Sequence, residues 1–275
     1  MQPIKLMIIA LALLSSPVAR ADVLVLVHGY LASPMSWEQS GINAVLEQQG
    51  WKRGGLFRST HAGIQLFDAP TKNAANTVYV VDLPSEAPVI VQSDMLSGML
   101  ETVRQQQPGE PIIIVGHSAG GVVARMSLIR AGAKNVSALI TIASPHVGTT
   151  RAEQAIDATN ESGPFGFVKN IFGGEGYDTL KRSRGLLFDL TRPYPGNLLY
   201  WLNAQQHPDI QYVSVVRLNP VGFAGDDLVP GFSQDMNNVP ALKGRSSIVT
   251  TAAQHSLVTS DATSLLDILK TIKVN

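Results

Sequence analysis

The chain has 275 residues, 45% hydrophobic and 15% charged, enough for one sizeable α/β domain or two small ones. Its 21 basic and 21 acidic residues balance and form no basic block, which argues against nucleic acid or an anionic membrane as partner. The lack of cysteine excludes disulfides, thiol nucleophiles and cysteine-held metals, and no histidine pair has metal-ligand spacing.

Lys5 precedes an uncharged run of 14 residues, Leu6 to Ala19, shorter than the ~18 expected of a membrane span. Ala19-Arg20-Ala21 then has the small-x-small form of a signal-peptidase site. Residues 1–21 are therefore expected to be a cleaved export signal and 22–275 a mature periplasmic or secreted chain. Losing Lys5 and Arg20 leaves 19 basic against 21 acidic residues, a net charge of −2.

Val23 to Val27 reads as a buried strand ending in His28-Gly29. Ser36 to Gln49 reads as a helix capped by Ser36 and stopped by Gly50. Residues 52–76, rich in glycine and polar side chains, read as an irregular excursion. Strands follow at Thr77 to Leu83, Ile112 to Val115 and Ala138 to Ala143, with helices at Val91 to Gln106 and Ala119 to Ala131 between them. Residues 150–201 hold eight of the 17 aromatics among many glycines, and a cap inserted at about 150–205 is expected. A strand at Ile210 to Leu218, another at Ser247 to Thr251 and a helix at Ala262 to Ile272 close the chain. Apolar strands alternating with helices predict an α/β fold, with a mostly parallel sheet covered on both faces.

Gly116-His117-Ser118-Ala119-Gly120-Gly121 stands where an apolar strand meets a helix. A nucleophilic serine needs that setting: a tight turn exposes its Oγ, and small neighbours two residues either side avoid a clash. Ser118 needs a base and an orienting acid. His255, four residues beyond the last strand, is the expected base. His117 is expected to support the turn, His28 to bond the loop that it starts, and His61 and His207 to be exposed. His146 precedes the acid candidates in the chain and receives no role. Asp227 is preferred as the acid because Pro230 would stiffen the chain after it and Val229 would anchor the turn, with Asp226 as the alternative; Asp178 and Asp189 are expected to be solvated in the cap. The oxyanion hole needs two backbone N–H groups, expected from Ala119 and, after Gly29, from Tyr30.

Together these residues resemble an α/β-hydrolase, more narrowly the bacterial esterase and lipase branch. The resemblance rests on His28-Gly29-Tyr30, the run from Gly116 to Gly121, Ser144-Pro145-His146-Val147-Gly148-Thr149, Asp227-Leu228-Val229-Pro230 and His255. The order Ser, Asp, His matches the usual order of that fold. The oxyanion loop lacks a three-glycine run, and the disulfide and calcium-binding aspartate of the foldase-dependent lipases have no counterpart. The resemblance implies a serine hydrolase without cofactor or metal, a lipase or esterase acting on lipid-like acyl esters with transient contact to a lipid interface. An aromatic-rich cap suggests a hydrophobic acyl pocket, although these aromatics serve equally well as the cap's own core, and glycines at 173, 174 and 176 suggest a mobile lid. A phospholipase, thioesterase, peptidase or polyester depolymerase would use the same triad. Dehalogenases and epoxide hydrolases place Asp where Ser118 stands, and an exported binding module with a dead site would need no triad.

Overall fold

The structure, a computed structural model, describes residues 22–69, 76–159, 176–219 and 221–272; the expected export signal lies outside them. One sheet contains β1 Val23–Val27, β2 Lys52–Thr60, β3 Gly63–Phe67, β4 Thr77–Asp82, β5 Ile112–His117, β6 Val136–Ile142, β7 Gln211–Leu218 and β8 Ser246–Ala252, in the order β3-β2-β4-β1-β5-β6-β7-β8. β2 and β3 pair antiparallel, and the remaining neighbours run parallel.

The central strands are continuous apolar runs because both faces are covered. Val23, Val25 and Val27 of β1 point into one core, while Leu24 and Leu26 point into the other. The first core packs against α3 Val89–Gln106 and α4 Ala119–Ala131, the second against α2 Ile42–Gln48 and the closing helix, Thr259–Leu269. Among the described residues no helix is long and apolar enough to cross a membrane.

Three expectations change. The helix expected from Ser36 to Gln49 is two pieces, α1 Met35–Gln39 and α2, broken where Gly41 takes φ +79°. The excursion at 52–76 contains the hairpin β2–β3, which extends the sheet by pairing β2 with β4. Only one edge of this hairpin is paired and half of its positions are exposed, with Phe57 buried and Ile64 and Leu66 packed against the first core. Its sequence therefore lacks an apolar run. The closing helix begins at Thr259, three residues before the expected Ala262.

Within the expected cap, the described parts are helical: α5 Thr150–Ala158, α6 Gly176–Arg182, α7 Arg184–Asp189 and α8 Leu198–Ala204. Asp189 is not solvated, because its Oδ2 accepts the Val89 N–H at 2.8 Å and ties the end of α7 to the start of α3. Phe165, Phe167, Phe172, Gly173 and Gly174 lie outside the described residues.

β1 is flanked by β4 on one side and β5 on the other, so the chain order reverses between β1 and β5. Such a switch point opens a crevice at the carboxyl ends of the strands. Val27 of β1 pairs with Gly116 of β5, which brings the residues after both strands together at that crevice.

Candidate active site

Ser118 joins β5 to α4 with φ +51° and ψ −128°. For a residue with a Cβ this costs on the order of 1–3 kcal/mol, which the surroundings must offset. The Ser118 N–H donates to the Ile142 carbonyl at 2.9 Å, fixing the turn to β6. A Cβ on Gly116 would stand 2.6 Å from Gly121 Cα, so the strand and helix could not approach as they do. A Cβ on Gly29 would stand 2.8 Å from Ser118 Cβ, so the backbone of the loop after β1 lies directly against the serine.

His255 Nε2 lies 2.8 Å from Ser118 Oγ, and its Nδ1 lies 3.0 Å from Asp226 Oδ2. A carboxylate can only accept, so Nδ1 carries the proton and Nε2 is left to accept from the serine hydroxyl. The carboxylate of Asp226 is shielded from solvent. Burial pushes its pKa up, but the His255 bond and charge and the Val229 and Leu228 N–H groups outweigh burial and leave it below the usual value. Its Oδ1 accepts both of those N–H groups at 2.8 Å, and its Oδ2 accepts a second donor, Gln234 Nε2, at 2.9 Å.

Asp227 stands elsewhere. Its carbonyl accepts from Arg151 Nε at 2.9 Å, and Asp226 takes the place against His255 that the sequence reading preferred for Asp227. The cause is the local turn. Asp226 starts it, bonding its own N–H to the Val229 carbonyl and its side chain to the N–H groups two and three residues on. Only the first aspartate can make that pattern, and making it aims the second carboxylate oxygen at His255.

Two residues absent from the sequence reading hold these groups. Gln234, fully buried, bonds Asp226 Oδ2 and the Val229 carbonyl through Nε2 and accepts the Arg217 N–H at 2.7 Å. Arg217, at the end of β7 and fully buried, forms an ion pair with Asp261, 2.9 Å between Nη2 and Oδ2, and donates to the Ser256 carbonyl at 3.0 Å. Asp261 in turn accepts the Val258 N–H at 2.9 Å. The segment following His255 is thus fixed by one buried pair. A polar residue inside the apolar pattern of β7 was the only sequence signal for it.

The expected oxyanion donors adjoin Ser118: Ala119 opens α4, whose first-turn N–H groups have no partner within the helix, and Tyr30 follows Gly29. His117 is buried, and its Nε2 lies 2.8 Å from the His255 carbonyl. Burial first, then the His255 charge, pushes its pKa down to about 3, so the ring is neutral and Nε2 donates. His28 likewise holds the first loop, accepting the Leu83 N–H at Nε2. His61 is exposed as expected, but His207 is buried. It and His146 accept from the buried guanidinium of Arg125, which also donates to Asn203 Oδ1 at 2.8 Å. His146 therefore has a structural place, between Arg125 and Thr141. Among the described residues no group of acidic and histidine side chains is arranged to hold a metal.

Two cavities meet at Ser118 and His255, of about 100 Å³ and about 420 Å³. No described aromatic of the cap lines either. Tyr200 and Trp201, expected in an acyl pocket or in the cap's own core, are 52% and 45% exposed.

The PGAP1-like alpha/beta domain family matches residues 65–161, about a third of the chain, including Ser118. No curated protein compared with the chain matches it in sequence. Among solved structures, the lin2722 gene product of Listeria innocua has a TM-score of 0.64 at 16% identity, covering 93% of this chain and 96% of its own. The mature lipase BlEst2 of Bacillus licheniformis has a TM-score of 0.63 at 16% identity, covering 94% of each chain. The esterase RhEst1 of Rhodococcus has a TM-score of 0.50 at 16% identity, covering 92% of each. Likeness at this identity establishes a shared architecture.

Proposed function

We propose that this chain, which has the α/β-hydrolase fold, hydrolyses carboxylic esters through an acyl-Ser118 intermediate. The observation that carries the reading is the continuous hydrogen-bond chain Ser118–His255–Asp226 at the sheet's switch point. Ser118 Oγ attacks the ester carbonyl carbon while its proton passes to His255 Nε2. Asp226 holds the imidazole in the required tautomer and stabilises the imidazolium. Charge on the former carbonyl oxygen is met by the N–H groups of Tyr30 and Ala119. Collapse breaks the bond to the alcohol oxygen, which leaves with the His255 proton. Water then gives one proton to His255 and adds its hydroxide to the acyl carbon. As the second tetrahedral intermediate collapses, the proton returns to Ser118 Oγ and the acid is released.

We read residues 1–21 as a leader removed on export and about 150–205 as a cap over the site. An N-terminus at Asp22 in exported protein checks the first point.

Ser118→Ala is expected to lower p-nitrophenyl ester turnover by at least ~10³-fold with the circular dichroism unchanged. Asp226→Asn should cost about 10⁴ in kcat, and Asp227→Asn less than about twofold. Wild-type turnover by Ser118→Ala overturns the reading, as does failure of a fluorophosphonate to label Ser118 in the active protein.

A further inference from the structure

We infer that the ester cleaved here joins a short apolar acyl group to a larger, uncharged, polyhydroxylated alcohol. The inference rests on the reading of Ser118 as nucleophile and adds the substrate class. The two cavities differ in chemistry as well as size. The smaller, about 100 Å³, is walled by Pro145, Ala152, Ala155, Leu187, Leu190 and Val229. Of its polar members, Thr149 and Arg151 are engaged within the protein. Thr149 Oγ1 donates to the Leu228 carbonyl and accepts the Arg151 N–H, and Arg151 Nε donates to the Asp227 carbonyl. A ligand there meets a mostly aliphatic wall.

The larger cavity, about 420 Å³, presents Ser36, Gln39, Ser40, His117 and Ser256, and no described Asp, Glu, Lys or Arg lines it; the Ser36 and Ser40 hydroxyls and His117 Nε2 already bond within the protein. The Gln39 amide and the Ser256 hydroxyl both donate and accept, which suits hydroxyls on a ligand. Nothing in that described lining offers a counter-charge to phosphate or ammonium.

The order of chemical steps decides which half of the ester goes where. The alcohol departs first, and water must then reach the acyl carbon beside His255. The departing half therefore belongs on the polar side, where water can follow it. The acyl half remains attached to Ser118 through both steps and belongs on the aliphatic side. At about 100 Å³ against about 420 Å³, the aliphatic cavity is the smaller of the two, which suits an acyl tail smaller than the alcohol half.

The test uses the purified full chain with p-nitrophenyl esters of two to sixteen carbons, then butyrate esters of methanol, glycerol, glucose and glycerol phosphate. Expected is a kcat/KM maximum near four to six carbons with at least a ~10-fold fall by twelve, the size of effect that misfitted methylenes produce. Glycerol and glucose butyrates should exceed methyl butyrate by about tenfold, with the phosphate ester below both. Filling the aliphatic side with Ala155→Leu should lower hexanoate turnover more than acetate turnover, and Gln39→Ala should shrink the glycerol preference. Activity that rises through twelve carbons overturns the inference, as does equal use of the four butyrates. Either result leaves ester hydrolysis standing. Absence of turnover on every ester, together with absence of fluorophosphonate labelling, removes the hydrolase reading itself.

Discussion

Arg217 and Arg125 are both fully buried, and both tie distant segments to the end of the sheet that carries Ser118. They are compensated differently. Arg217 meets the carboxylate of Asp261 and holds the segment following His255. Arg125, on α4, meets His207, His146 and Asn203, and no carboxylate pairs with it among the described residues. Burial pushes the Arg125 pKa down to about 9. In return, burial and the guanidinium push His207 down to about 4 and His146 well below its ordinary value. A buried cation can be held by neutral lone pairs only while those imidazoles stay unprotonated. The first arginine is therefore expected to fail when its partner is removed, the second when the solution turns acid.

Asp261→Ala should cause the largest loss, about 3–5 kcal/mol by urea unfolding, because it strands a buried charge. Retention of full stability would show that water reaches Arg217. Arg125→Met should cost less, about 1–3 kcal/mol, since it removes the charge and leaves neutral acceptors unpaired. If it costs more than Asp261→Ala, the neutral cage is the stronger of the two.

Acid titration separates them further. In the unfolded chain His207 binds a proton near its ordinary value of 6.5, and in the folded chain only near 4. Between those values the unfolded state holds more protons, so stability falls as the pH falls, by about 1.4 kcal/mol per pH unit for each such histidine. His207→Gln keeps an acceptor for Arg125 and should flatten that decline by about one histidine's share, read from unfolding midpoints between pH 4 and 6.5. The smallest effect is expected at Arg53, a half-exposed arginine bonded to Glu38 and Glu47. Arg53→Gln should change stability by less than about 1 kcal/mol and lose its effect in high salt.

The parts legible in the sequence were those whose cause is local. Val23 to Val27 had to be a doubly buried strand, and Gly116 to Gly121 could hardly be anything but a strained turn between strand and helix. The hairpin at Lys52–Thr60 and Gly63–Phe67 was illegible because its core contacts, Phe57, Ile64 and Leu66, are scattered among glycines and polar residues. The choice between Asp226 and Asp227 turned on a bond from a side chain to an N–H two residues ahead, which Asp226 makes and which the stiffness of Pro230 does not reveal. Gln234 and Arg217 were invisible for another reason. Their partners lie off any helical or strand periodicity, 8 residues back for Asp226 and 44 on for Asp261. The buried His207 misled because proline and glutamine around it look like surface.

Four donors crowd the two oxygens of Asp226: two backbone amides, one primary amide and one imidazole. With every lone pair directed at a hydrogen already, that oxygen pair has no vacancy for a fifth. Whatever proton Ser118 gives up must come to rest on the ring of His255 and wait there until a departing group collects it.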